Sequence, residues 1–121
     1  MSLEEQLFET ERGFWLEGES CFLHHLDESC LLVFPQSGEM HGVFSREKVA
    51  STATAPNRWR DLRMSNRQFL QIAKDCAIIS YRADVVRGDG VPYAALISSA
   101  YAQKSDSWLL ASHQHSPVLA D

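Results

Sequence analysis

Two histidines stand near the end of the chain, in the otherwise strand-like stretch SWLLASHQHSP (107–117). His113 and His115 are two residues apart, so on a strand both rings point to the same face. An unperturbed imidazole titrates at about pH 6.5 and can donate or accept a proton. Three interpretations stay open: an acid/base or ligand-contacting pair, polar residues at a strand end, or part of a metal site. The metal interpretation is the weakest because His-x-His needs a third ligand, and we predict no metal and no cofactor.

The first half of the chain predicts helices. Apolar residues from Leu3 to Trp15 recur at helical spacing, and the charged residues between them, Glu11 included, are assigned to the opposite side. Gly18 is a plausible stop, and Ser20 and Ser45 are plausible caps of two further short helices.

Strand patterns dominate the rest of the chain. The segments are CLLVF (30–34), a short return over 40–44, a weakly alternating run over 59–72, CAIISYRADVV (76–86), VPYAALISSAYAQ (91–103) and the closing strand. Asp89-Gly90 is a hairpin signal. Helices followed by antiparallel hairpins predict an α+β fold, a curved sheet with helices on one face, in a single domain over 1–121.

Composition limits the classes of partner. The 121 residues are 45% apolar and 22% charged with a formal net charge of -5, which gives no electrostatic reason to bind a nucleic acid. No window is apolar enough to span a membrane, and the acidic N-terminus is unlike a signal peptide. Three cysteines without CxxC spacing indicate reduced thiols, so we predict a cytoplasmic protein.

The order of elements, together with ERGFW (11–15), AIISYRADV (77–85) and SDSWLLASHQHSP (105–117), resembles the nuclear-transport-factor-2-like superfamily in its SnoaL-like branch. The resemblance spans nearly the whole chain. It implies a cone, a bent, mainly antiparallel mixed sheet wrapped around the N-terminal helices in a cystatin-like roll, with a pocket between them. The superfamily includes ketosteroid isomerases, polyketide cyclases, scytalone dehydratase, limonene epoxide hydrolase and a non-enzymatic kinase association domain, so fold alone does not choose a function.

The resemblance also suggests which side chains line the pocket. The kinase association domain has a pocket arginine at the place that matches Arg82, and its position matching Ser99 faces the same pocket. With Tyr101 and Trp59, these residues are the predicted ligand-binding set beside the two histidines. A guanidinium there would suit an anionic group. The alternative is that Arg82 pairs with Asp84 at the sheet surface.

Two functions follow as hypotheses. The first is a binding module for a small organic, possibly anionic, molecule. The second is an isomerase, cyclase or dehydratase in which His113 or His115 is the general base, kept neutral by the nearby guanidinium. Inward carboxylates are scarce on the predicted strands, which disfavours a carboxylate base. The resemblance further implies a homodimer through the outer sheet face, on which Tyr81, Val85 and Trp108 are placed.

Overall fold

Three helices pack on one six-stranded sheet in the computed structural model, which describes residues 1–35, 41–54 and 58–119. The elements in chain order are α1 (Leu3–Leu16), α2 (Glu19–His25), β1 (Leu26–Val33), β2 (His41–Ser45), α3 (Arg46–Ser51), β3 (Trp59–Ala73), β4 (Cys76–Arg87), β5 (Pro92–Lys104) and β6 (Ser107–Pro117). The α+β fold predicted from the element order is therefore confirmed.

The sheet has the strand order β2-β1-β6-β5-β4-β3. The pair β1–β6 is parallel and every other neighbouring pair is antiparallel, so the last four strands form a meander. This topology places β6, and with it the two histidines, beside both β1 and β5. The strand that carries the two histidines is thus one of the two central strands of the sheet.

Local chemistry explains the helix starts. Ser2 accepts a hydrogen bond from the Glu5 backbone N–H and caps α1, and Ser45 caps α3 in the same way. The predicted Ser20 cap is wrong, because α2 begins at Glu19 and its N-cap residue is Gly18. Strand β1 also starts before the predicted segment, directly after α2. Met40, predicted to open β2, lies outside the described residues.

Bulges bend two of the strands. In β3 the register shifts at two places that contain the left-handed residues Asp61 and Asn66, with φ of 55° and 54°. In β6 the register shifts opposite Ala100 and Tyr101, where Ala111 is the extra residue. A one-residue slip exchanges the two faces, so Leu110 faces inward together with the two histidines, contrary to the simple alternation expected.

The core lies between α1 and the inner face of the sheet. Leu7, Phe8 and Trp15 of α1 are buried against the row Tyr81, Ala83 and Val85 of β4. The assignment of Tyr81 and Val85 to the outer, dimer-forming face is therefore wrong, since both are almost fully buried within one copy of the chain. Among the helices in the described ranges, none is long and apolar enough to cross a bilayer.

Gly18 fixes the junction between α1 and α2. Its φ of 78° and ψ of -133° are open to glycine but strained for other residues. A Cβ placed there would lie 2.8 Å from the carbonyl oxygen of Ala53, just beyond α3. The close approach lets α2 and α3 pack together behind the site described below.

We expect Gly18→Ala to destabilise the fold by about 2–4 kcal/mol, from backbone strain plus the clash with the Ala53 carbonyl. The measurement is the free energy of unfolding in urea. Gly90→Ala is the matched control, because Gly90 also has a positive φ, 91°, but its Cβ would meet only the end of the Arg60 side chain at 3.9 Å. Equal losses in the two variants would contradict the close approach at Gly18.

Candidate functional site

A cavity of about 420 Å³ lies between the helices and one end of the sheet. Its walls are mostly aromatic and aliphatic, with a few polar groups. The lining residues are Phe14, Trp15, Phe22, Leu26, Leu32, Phe34, Val49, Thr52, Arg58, Trp59, Arg87, Tyr93, Leu110, His113 and His115. A mainly apolar cavity with a small number of polar groups is the usual form of a small-molecule site.

The two histidines of β6 contact one another inside this cavity. His113 Nε2 and His115 Nε2 are 3.0 Å apart, so one ring donates its proton to the other. The Nδ1 atom of His113 is 2.7 Å from Ser99 Oγ, and the Nδ1 atom of His115 is 3.1 Å from Tyr93 Oη. All four ring nitrogens therefore have hydrogen-bond partners.

Aromatic side chains enclose His115. Its ring stacks on Trp15 at a centroid distance of 5.3 Å and lies 4.6 Å from the ring of Phe34. Burial lowers the pKa of His113 to about 4, and burial together with the neighbouring His113 lowers the pKa of His115 to about 2. Both imidazoles are thus neutral around pH 7. Burial, rather than the guanidinium expected from the sequence, keeps them neutral.

Behind the histidines lies a carboxylate that the sequence analysis placed on the solvent side of α1. Glu11 is 0% exposed. Tyr81 donates a hydrogen bond to Glu11 Oε1 at 2.6 Å, and Tyr101 donates one to Oε2. Ser99 is close enough to this carboxyl group to lower its pKa, and His113 Nδ1 is 3.7 Å from Oε1. Glu11 thus joins α1 to β4, β5 and β6.

Burial raises the pKa of Glu11, and the hydrogen bonds from Tyr101, Tyr81 and Ser99 counteract only part of that rise. Burial and the Glu11 charge raise the pKa values of both tyrosines well above their ordinary range, so the hydroxyls stay protonated and remain donors. Trp15 Nε1 in turn donates to Tyr81 Oη at 3.0 Å. Within the described ranges, no buried side-chain nitrogen or oxygen lacks a hydrogen-bond partner.

The spacing on α1 could have revealed Glu11. It lies four residues after Leu7 and four before Trp15, in the middle of the buried stripe. The general rule that glutamates are exposed assigned it outward, but a glutamate with several partners is the exception to that rule. The scarcity of inward acids therefore holds only for the strands, since the buried carboxylate comes from the helix.

The structure separates the predicted ligand-binding residues into three groups. Trp59 lines the cavity, where its ring meets Trp15 edge to face at 5.1 Å. Ser99 and Tyr101 are fully buried behind the cavity and do not line it. Ser99 contacts His113, and Tyr101 contacts Glu11. These two residues support the lining groups from behind.

Arg82 is not in the cavity, so its placement beside the histidines is wrong. Its Nε and Nη2 donate to the two carboxylate oxygens of Asp84 at 3.1 and 3.2 Å, and 41% of its side chain is exposed. Both residues lie on the face of β4 opposite to Tyr81. The alternative stated above, an ion pair at the sheet surface, is the one observed.

Two other arginines line the cavity, Arg58 and Arg87. Arg58, just before β3, donates from Nη2 to the Phe14 carbonyl oxygen at 3.1 Å and lies over the Phe22 ring. Burial lowers its pKa, although the group stays cationic. Arg58 was not predicted as a site residue, because no strand or helix pattern in the sequence includes it.

The metal interpretation gains no support. In the part of the chain that the structure describes, no cluster of three or more His, Cys, Asp or Glu side chains is arranged to hold a metal ion. The three cysteines are free thiols, and burial raises the pKa values of Cys21 and Cys30 to about 12.

The neutral histidines predict an acid-sensitive fold. Below about pH 6.5 the imidazoles of the unfolded chain take up protons, whereas in the folded chain His113 stays neutral down to about pH 4 and His115 to a lower pH. The unfolded chain therefore binds more protons, and the free energy of unfolding decreases as the pH is lowered. We expect His113→Gln or His115→Gln to remove up to about 1.4 kcal/mol per pH unit of that slope between about pH 6.5 and 4. Urea unfolding at a series of pH values measures it.

His24→Gln is the control, because His24 is exposed on α2. The raised pKa of Glu11 acts in the opposite direction, costing stability as pH rises above its ordinary value. Because His113 Nδ1 lies 3.7 Å from Glu11 Oε1, His115→Gln is the variant that leaves this neighbour of Glu11 in place. Slopes that are unchanged in both cavity-histidine variants would contradict neutral, buried imidazoles.

Neither a protein-family model nor a curated protein sequence matches this chain. Solved structures do match it. A "putative ketosteroid isomerase" from Parabacteroides distasonis superposes with a TM-score of 0.76 at 14% identity, covering 97% of this chain and 89% of the other. An NTF2-like protein of unknown function from Prochlorococcus gives 0.76 at 17% identity, covering 100% and 97%. The hub homology domain of a calcium/calmodulin-dependent kinase II from Chlamydomonas reinhardtii gives 0.72 at 15% identity, covering 98% and 100%.

Identities of 14–17% over nearly whole chains show a shared fold, and these proteins with one fold carry different descriptions. The resemblance to nuclear-transport-factor-2-like proteins seen in the sequence is therefore confirmed for the architecture. This chain has the NTF2-like fold.

Proposed function

We propose that the chain binds a small, largely apolar organic molecule with one anionic or strongly polar group, in the cavity beside His113 and His115. The observation that carries this proposal is the cavity itself, about 420 Å³ with aromatic walls and a few polar groups. Cavities of this size and composition are typical of small-molecule sites.

The walls favour a flat, aromatic or alicyclic ligand. Trp59 lies 5.7 Å from Tyr93, and Phe14 stacks on Phe22 at 4.9 Å, so two pairs of ring faces border the same space. Burying the ligand's apolar surface against them contributes roughly 25 cal/mol per Å².

Arg58 is the proposed partner of the anionic group. Its guanidinium is partly desolvated and uses one nitrogen, Nη2, for the Phe14 carbonyl. A guanidinium has five N–H donors, so others remain to bind a carboxylate or similar group. Arg58 takes the role that the sequence analysis gave to Arg82.

A second candidate is an enzyme of the isomerase, cyclase or dehydratase type. The specific observation in its favour is that the two neutral imidazoles are hydrogen-bonded to each other and that Tyr93 Oη is the partner of His115 Nδ1, so the pair can take up a proton from a bound molecule through Tyr93. In this candidate His115 contacts the substrate, and His113 supports it.

A homodimer and a cytoplasmic location stay predictions. Because Tyr81 and Val85 are buried on the inner face of the sheet, the proposed dimer surface is the opposite, outer face around the half-exposed Leu96. One solved structure with this fold is named as an association domain, from Caenorhabditis elegans. We propose self-association through that surface by analogy.

Binding of 2-naphthoate, compared with neutral 2-naphthamide, tests the proposed site by titration calorimetry. We expect both to bind and Arg58→Gln to weaken naphthoate roughly tenfold or more, the effect of losing a charge-assisted hydrogen bond. Naphthamide should lose much less. Arg58→Lys keeps the charge and should recover part of the naphthoate affinity.

Arg82→Gln is the matched control, since Arg82 lies on the opposite face of the sheet. It should leave both affinities unchanged. Failure of both probes to bind, or an equal loss in the Arg58 and Arg82 variants, would contradict the proposed site. Sedimentation of the same samples reports the number of chains per particle.

A further inference from the structure

We propose that Tyr93, His115, His113 and Ser99 form a proton path from the cavity to Glu11, and that Glu11 is the group that finally accepts the proton. The inference rests on the proposed function in one respect, that the cavity holds the molecule that releases the proton. The path itself is a property of the chain without any ligand.

Three steps of the path are hydrogen bonds, and the last step is the approach of Ser99 to the Glu11 carboxyl group. Tyr93 Oη and His115 Nδ1 are 3.1 Å apart, the two Nε2 atoms 3.0 Å, and His113 Nδ1 and Ser99 Oγ 2.7 Å. His113 Nδ1, the partner of Ser99, lies 3.7 Å from Glu11 Oε1, and Ser99 is close enough to the Glu11 carboxyl group to lower its pKa. Tyr93 and the two histidines line the cavity, whereas Ser99 and Glu11 are fully buried behind it. The path therefore leads inward from the cavity wall.

An ionised Glu11 sets the direction of every bond. A carboxylate only accepts, so Ser99 donates to it and accepts from His113 Nδ1–H. His113 Nε2 then carries no proton and accepts from His115 Nε2–H. His115 Nδ1 is likewise unprotonated and accepts from Tyr93 O–H. Each imidazole is neutral, and its tautomer is fixed by the charge on Glu11.

Protonating Glu11 reverses the path with all atoms accounted for. An incoming proton binds Tyr93 Oη as its own proton passes to His115 Nδ1, and the Nε2 proton of His115 passes to His113. The Nδ1 proton of His113 then passes to Ser99, whose hydroxyl proton passes to Glu11. Each intermediate gains one proton and loses one, and only Glu11 changes charge.

In a reaction, the X–H bond of the bound molecule breaks and its electron pair stays on that molecule. Arg58, in the cavity wall, offsets the resulting negative charge. The proton and the electron pair end on opposite sides of the histidine pair. No oxidant or further reactant is needed.

The other groups around Glu11 keep one protonation state. Tyr81 on β4 and Tyr101 on β5 stay protonated, because burial and the Glu11 charge raise their pKa values. The thiols of Cys21 on α2 and Cys30 on β1, which interact with the Glu11 charge, have pKa values of about 12. On β3, Arg67 is the nearby cation, acting on Tyr81. Above about pH 4, the pKa of the neighbouring His113, Glu11 is thus the group of this cluster that titrates.

Histidine tautomers measured by NMR test the path in the protein without ligand. In chain labelled with ¹⁵N-histidine, two-bond ¹H–¹⁵N spectra distinguish Nδ1–H, Nε2–H and doubly protonated rings. Across about pH 5 to 9 we expect both rings to stay neutral. On acidification His113 should change from Nδ1–H to Nε2–H, and His115 from Nε2–H to Nδ1–H. Both changes should share one midpoint, above the ordinary glutamate value of about 4.3.

Glu11→Gln should abolish this shared change. Glu9→Gln is the matched control, since Glu9 lies on the same helix and is exposed, and it should behave as the wild type does. If Glu11→Gln does not fold, the wild-type titration alone decides the matter. Rings that become doubly protonated, or tautomers that do not change with pH, would overturn the proposal.

Ser99→Ala removes one hydroxyl and cuts the path between His113 and Glu11. We expect the tautomers of both rings to become independent of pH over the range in which Glu11 titrates. A wild-type tautomer change in this variant would overturn the path through Ser99. If naphthoate binds but the wild-type tautomers do not change with pH, the path is refuted and the proposed binding function is not. If the tautomers change with pH but naphthoate does not bind, the proposed binding function is refuted and the path is not.

Discussion

A single buried carboxylate constrains much of this structure. An ionised Glu11 with no partners would be strongly destabilising in the core, so helix α1 must lie where three hydroxyl groups from two strands can reach that side chain. Tyr81 and Tyr101 meet these requirements from adjacent strands, and Ser99 adds the link to β6. The same contacts hold α1 against the sheet and set the position of His113. Packing of the fold and polarity of the site therefore depend on one interaction.

The cavity combines apolar aromatic walls with polar side chains, and the walls determine the charge state of the histidines. Its aromatic walls exclude water around the imidazoles, and the resulting low polarity keeps His113 and His115 neutral. A neutral imidazole donates from one nitrogen and accepts at the other, so when the hydrogen bond on one side of the ring reverses, the bond on the other side reverses too. A charged ring donates from both nitrogens and cannot do this. Arg58 is the group that we propose binds negative charge, and Glu11 is the group that we propose accepts a proton. Solved structures with this fold carry different descriptions, so these side chains rather than the fold determine the chemistry.

Local signals made much of the fold predictable from the sequence. The apolar spacing of α1, the Ser45 cap, the Asp89-Gly90 turn and the alternation in β4 and β5 all act within a few residues and appear as expected. Long-range features were not predictable. The bulge at Ala111 has no glycine or proline to mark it, and it reversed the face expected for Leu110 relative to the two histidines. The position of the Arg58 side chain depends on the Phe14 carbonyl, 44 residues away in the sequence. The burial of Glu11 depends on Tyr81 and Tyr101, 70 and 90 residues away.

Infrared difference spectroscopy of the carboxyl C=O stretch tests the central claim, that Glu11 is a buried, titrating acid, most directly. Spectra of the wild type and of Glu11→Gln are compared across a pH titration in D₂O. A buried, titrating Glu11 should give a protonated-carboxyl band that is absent from the variant. The midpoint of its titration should lie above the ordinary glutamate pKa of about 4.3. The contradicting result is a set of bands identical in both proteins, or a Glu11 band that titrates as an exposed carboxyl does.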